Sequence, residues 1–133
     1  MANVVVSEIK ITGENKILND LAQFVKSEDY DFDLEKITDD PSTQYSEDEK
    51  PQINFTDDVY YFDVETEWIA PYDELKILSK KFPTLRIELV VKAYDDGIWQ
   101  KVIYESGKQV EFIEEEMRYA DDDEGGYVIN GLD

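Results

Sequence analysis

Three carboxylates, Asp63, Glu65 and Glu67, recur at every second position of one short segment. In a strand this spacing sets successive acids on one face about 7 Å apart, within the range of the acid pairs that hydrolyse glycosides. The same alternation argues for a solvated face instead. Tyr60, Phe62, Val64 and Trp68 occupy the other side, and Lys92 and Arg86 are available as cross-strand partners. A second cluster, Asp29-x-Asp31-x-Asp33, opens like a calcium loop, but Leu34 stands where such a loop turns on glycine and Asp40 where it closes with a bidentate glutamate. A third, Asp121 to Gly126, has glycine at the right offset and Leu132 in place of the closing glutamate. No dedicated metal site is expected, and weak divalent binding is the most these clusters imply.

The chain has 133 residues, with no histidine and no cysteine. Disulfides, thiolate catalysis and cysteine-based zinc sites are excluded, and the usual general base near neutral pH is missing. Gly125-Gly126 reads as a turn, and nothing resembles a glycine loop that cradles phosphate. The chain is therefore read as a non-enzyme with no cofactor and no catalytic residue.

The elements that must carry these acids follow from periodicity. Residues 3–12 alternate as a strand, with Val5, Ser7, Ile9 and Ile11 on one side, and Thr12-Gly13 ends it. Ile17, Leu18, Leu21, Ala22, Phe24 and Val25 recur at helical spacing between Glu14 and Ser27. Residues 28–51 form an acidic insertion without sustained period, in which Asp29-Tyr30-Asp31-Phe32-Asp33-Leu34 reads as an edge strand, a flap pinned by Tyr30 and Phe32, or an acidic-hydrophobic docking segment. Gln52–Phe55 and Val59–Trp68 read as a hairpin. Pro71 then opens a helix with Asp73 and Glu74 at its positive end, Lys80 and Lys81 at its negative end, and Leu75, Leu78 and Phe82 as the buried stripe. Leu85, Ile87, Leu89 and Val91 line another strand, Asp95-Asp96-Gly97 marks a hairpin, and residues 98–105 and 109–114 are two more strands. The order β-α-β-β-α-β-β-β predicts one domain over residues 1–133. Its class is α+β: a ferredoxin-like split β-α-β with two helices on one face of an antiparallel sheet, extra C-terminal strands and the acidic insertion.

The formal charge is −20, and its distribution matters more than its size. Residues 27–58 hold twelve acids against Lys36 and Lys50, and residues 111–133 hold nine against Arg118. The rest of the chain is nearly neutral. Eleven lysines remain, which argues against acid spread over every surface. Such a chain repels phosphates, so direct nucleic-acid binding is not expected. Inverted, eighteen net carboxylates match roughly 30 Å of duplex, or about nine base pairs, at about one charge per 1.7 Å.

The stretch Thr66-Glu67-Trp68-Ile69-Ala70-Pro71, followed by Leu75, Leu78-Ser79-Lys80-Lys81-Phe82-Pro83 and the strand Leu85 to Val91, resembles the YubB-like ferredoxin-like family of phage- and plasmid-borne proteins. The resemblance is best over residues 59–105 and extends more weakly over 1–26 through Ile9 to Gly13. It implies the ferredoxin-like fold and a mobile-element origin, and it carries over no catalytic residue.

Two functional readings follow. In the first, the chain is an acidic interaction module that mimics nucleic acid and inhibits a basic nucleic-acid-binding protein of the restriction or CRISPR type. Its contact residues are then Asp29, Asp31, Asp33, Asp39, Asp40, Glu47, Asp48 and Glu49 of the insertion, with Glu114, Glu115, Glu116, Asp121, Asp122, Asp123 and Glu124 of the C-terminal segment 111–133. In the second, it is a small accessory or regulatory domain whose acidity only solubilises. Uncharged apolar runs such as Leu89-Val90-Val91 are too short for a membrane span, and the N-terminus lacks a signal-peptide pattern. A cytoplasmic location is expected.

Overall fold

The computed structural model describes residues 4–46, 50–119 and 127–129. The alternating segment near the N-terminus forms β1 (Val4–Thr12), which buries Val5, Ser7, Ile9 and Ile11 and leaves Val4 and Lys10 in solvent. Helix α1 (Asn15–Val25) buries Leu18, Leu21 and Val25, three and four residues apart as one helix face requires. A one-turn helix α2 (Leu34–Ile37) lies inside the insertion, capped by the Asp33 carboxylate, which accepts the Glu35 N–H at 2.9 Å. After β2 (Asn54–Phe55) and β3 (Val59–Glu67) comes α3 (Tyr72–Lys81), with Asp73 and Glu74 in its first turn and Lys80 and Lys81 in its last. The charges match the helix dipole at both ends. The chain then runs through β4 (Arg86–Ala93), β5 (Ile98–Glu105), β6 (Lys108–Tyr119) and the short β7 (Tyr127–Ile129).

The strands form an open antiparallel sheet in the order β2-β3-β1-β4-β5-β6, and β7 continues it from the far end of β6. β1 sits near the centre, with β3 and β4 on its two sides. β2 runs parallel to β1 but is separated from it by β3. One continuous core joins Leu18 and Leu21 of α1, Leu34 and Ile37 of α2, and Leu75 and Leu78 of α3 to the inward residues of the central strands. Among the latter are Ile9, Ile11, Phe62, Ile87, Leu89 and Val102, each at most 2% exposed. No helix among the described residues is long and apolar enough to cross a membrane.

Two turns tie the strands to the helices. The β5–β6 turn has both Ser106 (φ 54°) and Gly107 (φ 76°) in the left-handed region, as a two-residue hairpin with matching twist requires. A Cβ on Gly107 would fall 3.0 Å from Cβ and 3.3 Å from Cα of Lys80, so the hairpin tip is packed on the last turn of α3. The Gly107 N–H donates to Ser79 Oγ at 2.9 Å, and the Ser106 hydroxyl donates to the Pro83 carbonyl at 3.2 Å.

Of the two conformations open to residues 29–34, edge strand and flap, the structure has the flap. Phe32 is fully buried, with its ring 4.6 Å from that of Phe62 and 6.4 Å from that of Tyr60, while Tyr30 packs on Tyr45 at 5.3 Å. The alternation of acid and apolar residues is real, but it sorts side chains in an irregular segment rather than in a strand. Asp33 N–H donates to the Val25 carbonyl and Ser27 N–H to the Tyr30 carbonyl, so the flap folds back on the end of α1. Replacing Phe32 with alanine removes the pin, and the expected loss is about 3–5 kcal/mol in chemical denaturation. A loss under about 1 kcal/mol would show that the flap is only laid against the core.

Candidate acidic interface

The acids expected to form the contact surface fall into three groups. Asp29, Asp31, Asp39 and Asp40 are exposed, and Asp33 is half-buried by its capping role. Glu114 and Glu116 are exposed on the sheet face shared with Gln100 and Ile98, whereas Glu115 is half-buried on the opposite face beside Trp99. Glu47, Asp48, Glu49, Asp121, Asp122, Asp123 and Glu124 lie outside the described residues.

The insertion and β6 are not adjacent. Residues 44–46 run along the outer edge of β3: Tyr45 bridges Thr66, Ser46 N–H donates to the Glu65 carbonyl, and Glu67 N–H donates to the Gln44 carbonyl. From there to β6 is five strand spacings, about 24 Å. What lies between them is a rim at one end of the sheet. Tracing the register, Glu65 lies opposite Val6, Val6 opposite Lys92, Lys92 opposite Trp99, and Trp99 opposite Glu115. Along that end stand Glu65 and Glu67 at the close of β3, the exposed Asp95 and Asp96 in the β4–β5 turn, and Glu114, Glu115 and Glu116 in β6. Glu67, Asp95 and Asp96 were read from the sequence as strand face and turn; only the register shows that they bridge the two acidic stretches.

The insertion is held in place by a buried carboxylate. Glu74, in the first turn of α3, is 0% exposed and accepts the Ser42 N–H at 2.6 Å and the Ser42 hydroxyl at 2.8 Å. Tyr45 adds a hydroxyl bond to the Phe32 carbonyl. A shallow groove of about 480 Å³ beside α3 has Asp40, Ser42 and Glu74 among its lining, and Lys76 and Lys80 keep it from being uniformly acidic.

On the sheet face away from the core, Lys92 and Arg86, the expected cross-strand partners of the β3 acids, pair elsewhere. Lys92 pairs with Glu8 at 2.5 Å, and Arg86 pairs with Glu88 at 3.4 Å. The reason is topological: β1 separates β3 from β4, so Glu8 stands between Lys92 and the β3 carboxylates. Such partly exposed pairs contribute about 0–1 kcal/mol each. Among the described residues no three carboxylates converge as metal ligands would.

Trp68 also departs from the alternation, which places it inward with Tyr60, Phe62 and Val64. The strand ends one residue earlier, at Glu67, and Trp68 is 64% exposed with φ at 70°. The Ile69 N–H donates to the Glu67 carbonyl at 2.8 Å, closing a three-residue γ-turn around Trp68. The positive-φ form of that turn is rare and strained, above all for a bulky residue. Its neighbours impose it: the Thr43 hydroxyl also donates to the Glu67 carbonyl, the Thr66 hydroxyl donates to the Ile69 carbonyl, and the Gln44 amide holds the Glu67 carboxylate at 2.6 Å.

Comparison with protein-family models, with curated proteins and with solved structures returns no match.

The titration of the fold is dominated by buried phenols. Burial, and then the charge of Asp33, raises Tyr45 well above the ordinary phenol value; burial and then Asp31 do the same for Tyr60. Burial pushes Tyr104 up to about 12, with neighbouring Tyr72, Asp73 and Glu74 adding to the rise. Each phenol holds its proton more tightly folded than unfolded, so its contribution is fully present below about pH 10; for Tyr104 it is lost as pH climbs from 10 towards 12, and for Tyr45 and Tyr60 the loss begins at the same pH and extends further. Denaturation midpoints should therefore fall steeply above about pH 10, and Tyr104→Phe should flatten part of that fall. An unchanged slope in the variant would contradict the burial of Tyr104. At Trp68 the usual ranking of alanine over glycine should invert: Trp68→Gly is expected to be more stable than Trp68→Ala by about 1 kcal/mol, since only glycine adopts the positive φ without strain. Equal stabilities would argue against the γ-turn.

Proposed function

We propose that this chain is an acidic interaction module that occupies the polyanion-binding surface of a basic nucleic-acid-binding protein, in the manner of an anti-restriction or anti-CRISPR inhibitor. The observation that carries the reading is the rim. Seven carboxylates, from Glu65 to Glu116 by way of Asp95 and Asp96, are distributed over both sheet faces across the four strand spacings from β3 to β6. At about 19 Å, that is about one per 3 Å, close to the 3.4 Å between charges along one DNA strand. A sheet bordered by turns is a stiffer support for such a row than a disordered acidic tail, which must be ordered on binding.

The strand order supports a ferredoxin-like split β-α-β core: β4-β1-β3-β2 is the order of that fold, and α1 and α3 are its two crossover helices, with β5 to β7 as additions. This is also the fold implied by the YubB-like resemblance, and with it a mobile-element origin. The second reading, an accessory domain with merely solubilising acid, draws support from the placement of the insertion and β6 at opposite edges.

One titration separates the two. Affinity for a DNA-binding nuclease, measured by calorimetry, should fall at least tenfold between about 50 and 200 mM salt, and duplex DNA should compete. Converting Asp95, Asp96 and Glu116 to their amides should lower the salt slope. Binding that is indifferent to salt and to these substitutions would overturn the mimicry and leave the solubilising role.

A further inference from the structure

Trp68 does nothing for the core, yet the fold goes to some length to display it. Among the described residues it is the most exposed large hydrophobic, at 64%, and Ile69 beside it is 41% exposed. Bulky residues persist in strained positive-φ conformations where the surroundings over-determine them, and such sites concentrate where binding occurs. Here five hydrogen bonds among the described residues converge on the turn, three of them with Thr43 and Gln44 of the insertion.

The indole stands between two hollows. One, of about 260 Å³, is walled by Pro41, Thr43, Gln44 and Glu67; the other, of about 120 Å³, by Ile69, Tyr72, Asp96 and Ile98. Both fall below the 300–1,000 Å³ range of sites that enclose small-molecule ligands, so each suits a single inserted side chain. Each hollow contains a carboxylate, Glu67 or Asp96, and no lysine or arginine is among the described residues that line either. An exposed indole flanked by carboxylates is the arrangement that takes a planar cation: the ring face attracts the guanidinium, and the acids accept its N–H groups. A nucleic-acid base would also stack on the ring, but its phosphates would be repelled by the rim. A second copy of the chain would bring another −20 against this one.

We infer that Trp68 is the anchor of the acidic surface, stacking on an arginine of the basic partner while Glu67 and Asp96 hold its guanidinium. The inference rests on the acidic-module reading and adds to it a specific contact with a preference for arginine over lysine. Aromatic anchors of this kind carry a disproportionate share of binding energy, whereas the surrounding charges set encounter rate and salt dependence.

The test uses the full chain and two fluorescently labelled peptides, octa-arginine and octa-lysine, with affinities read by anisotropy at about 50 and 200 mM salt. Trp68→Ala should weaken octa-arginine binding about tenfold, within the range of a partly desolvated cation–π contact, and octa-lysine binding far less. The salt slope should be unchanged. Trp68→Gly, free of backbone strain, should show the same loss, which separates the missing indole from any disturbance of the turn; circular dichroism verifies that both variants are folded. If both variants bind octa-arginine like the wild type while salt dependence persists, the anchor is refuted and the acidic surface stands. If the wild type itself shows no salt-dependent binding, both readings fall.

Discussion

The carboxylate of Glu74 is the point on which the arrangement of this protein turns. Removing a charged group from water costs several kcal/mol unless hydrogen bonds replace its hydration. Ser42 supplies that replacement with both its backbone N–H and its hydroxyl, and the position of Glu74 in the first turn of α3 adds the favourable end of the helix dipole. Because Ser42 must stay on Glu74, the next residues are delivered to the open edge of β3. There Tyr45 bridges Thr66 and Gln44 holds Glu67. The end of β3 is thereby clamped, and the γ-turn that raises Trp68 follows from the clamp. A buried acid in a helix and an exposed indole in a turn are thus linked through five residues of loop.

The described residues of the insertion are consequently part of the folded body. Phe32 enters the core between Tyr60 and Phe62, and α2 contributes Leu34 and Ile37 to the same cluster. Its apolar residues point inward because the core offers them contacts, which leaves Asp29, Asp31, Asp39 and Asp40 no choice but the surface. The charge of these four aspartates is therefore fixed in space. The described acids form a rim along one end of the sheet with the insertion at one edge and β6 at the other, and Arg86, Lys92 and Lys101 are engaged on the sheet face away from the core with Glu8 and Glu88. Like charges held on a rigid support repel at a constant cost to the fold, a cost that a basic partner would relieve.

Much of this architecture was legible in the residues themselves. Period-2 alternation in Val5–Ile11 and Ile87–Val91, helical spacing in Leu18–Val25, and the Asp-Asp-Gly and Ser-Gly turns place most elements within a few residues, because burying one face of a strand or helix is a local demand that sequence spacing must satisfy. Leu34–Ile37 is a single turn, too short to generate a period, and was not legible. Neither was Trp68: alternation assigns it to the core, but the strand is cut off by bonds from Thr43 and Gln44, more than twenty residues away. The pairing of Lys92 with Glu8 rather than with the acids of β3 likewise depended on which strand lies between, a matter of sheet order that no local pattern encodes. Composition alone determined that the chain is strongly acidic and lacks histidine and cysteine. Only the tertiary structure decided that Glu67, Asp95 and Asp96 join the separated acidic stretches, because neighbours across a sheet are set by hydrogen-bonded register, and register brings together residues that are remote along the chain.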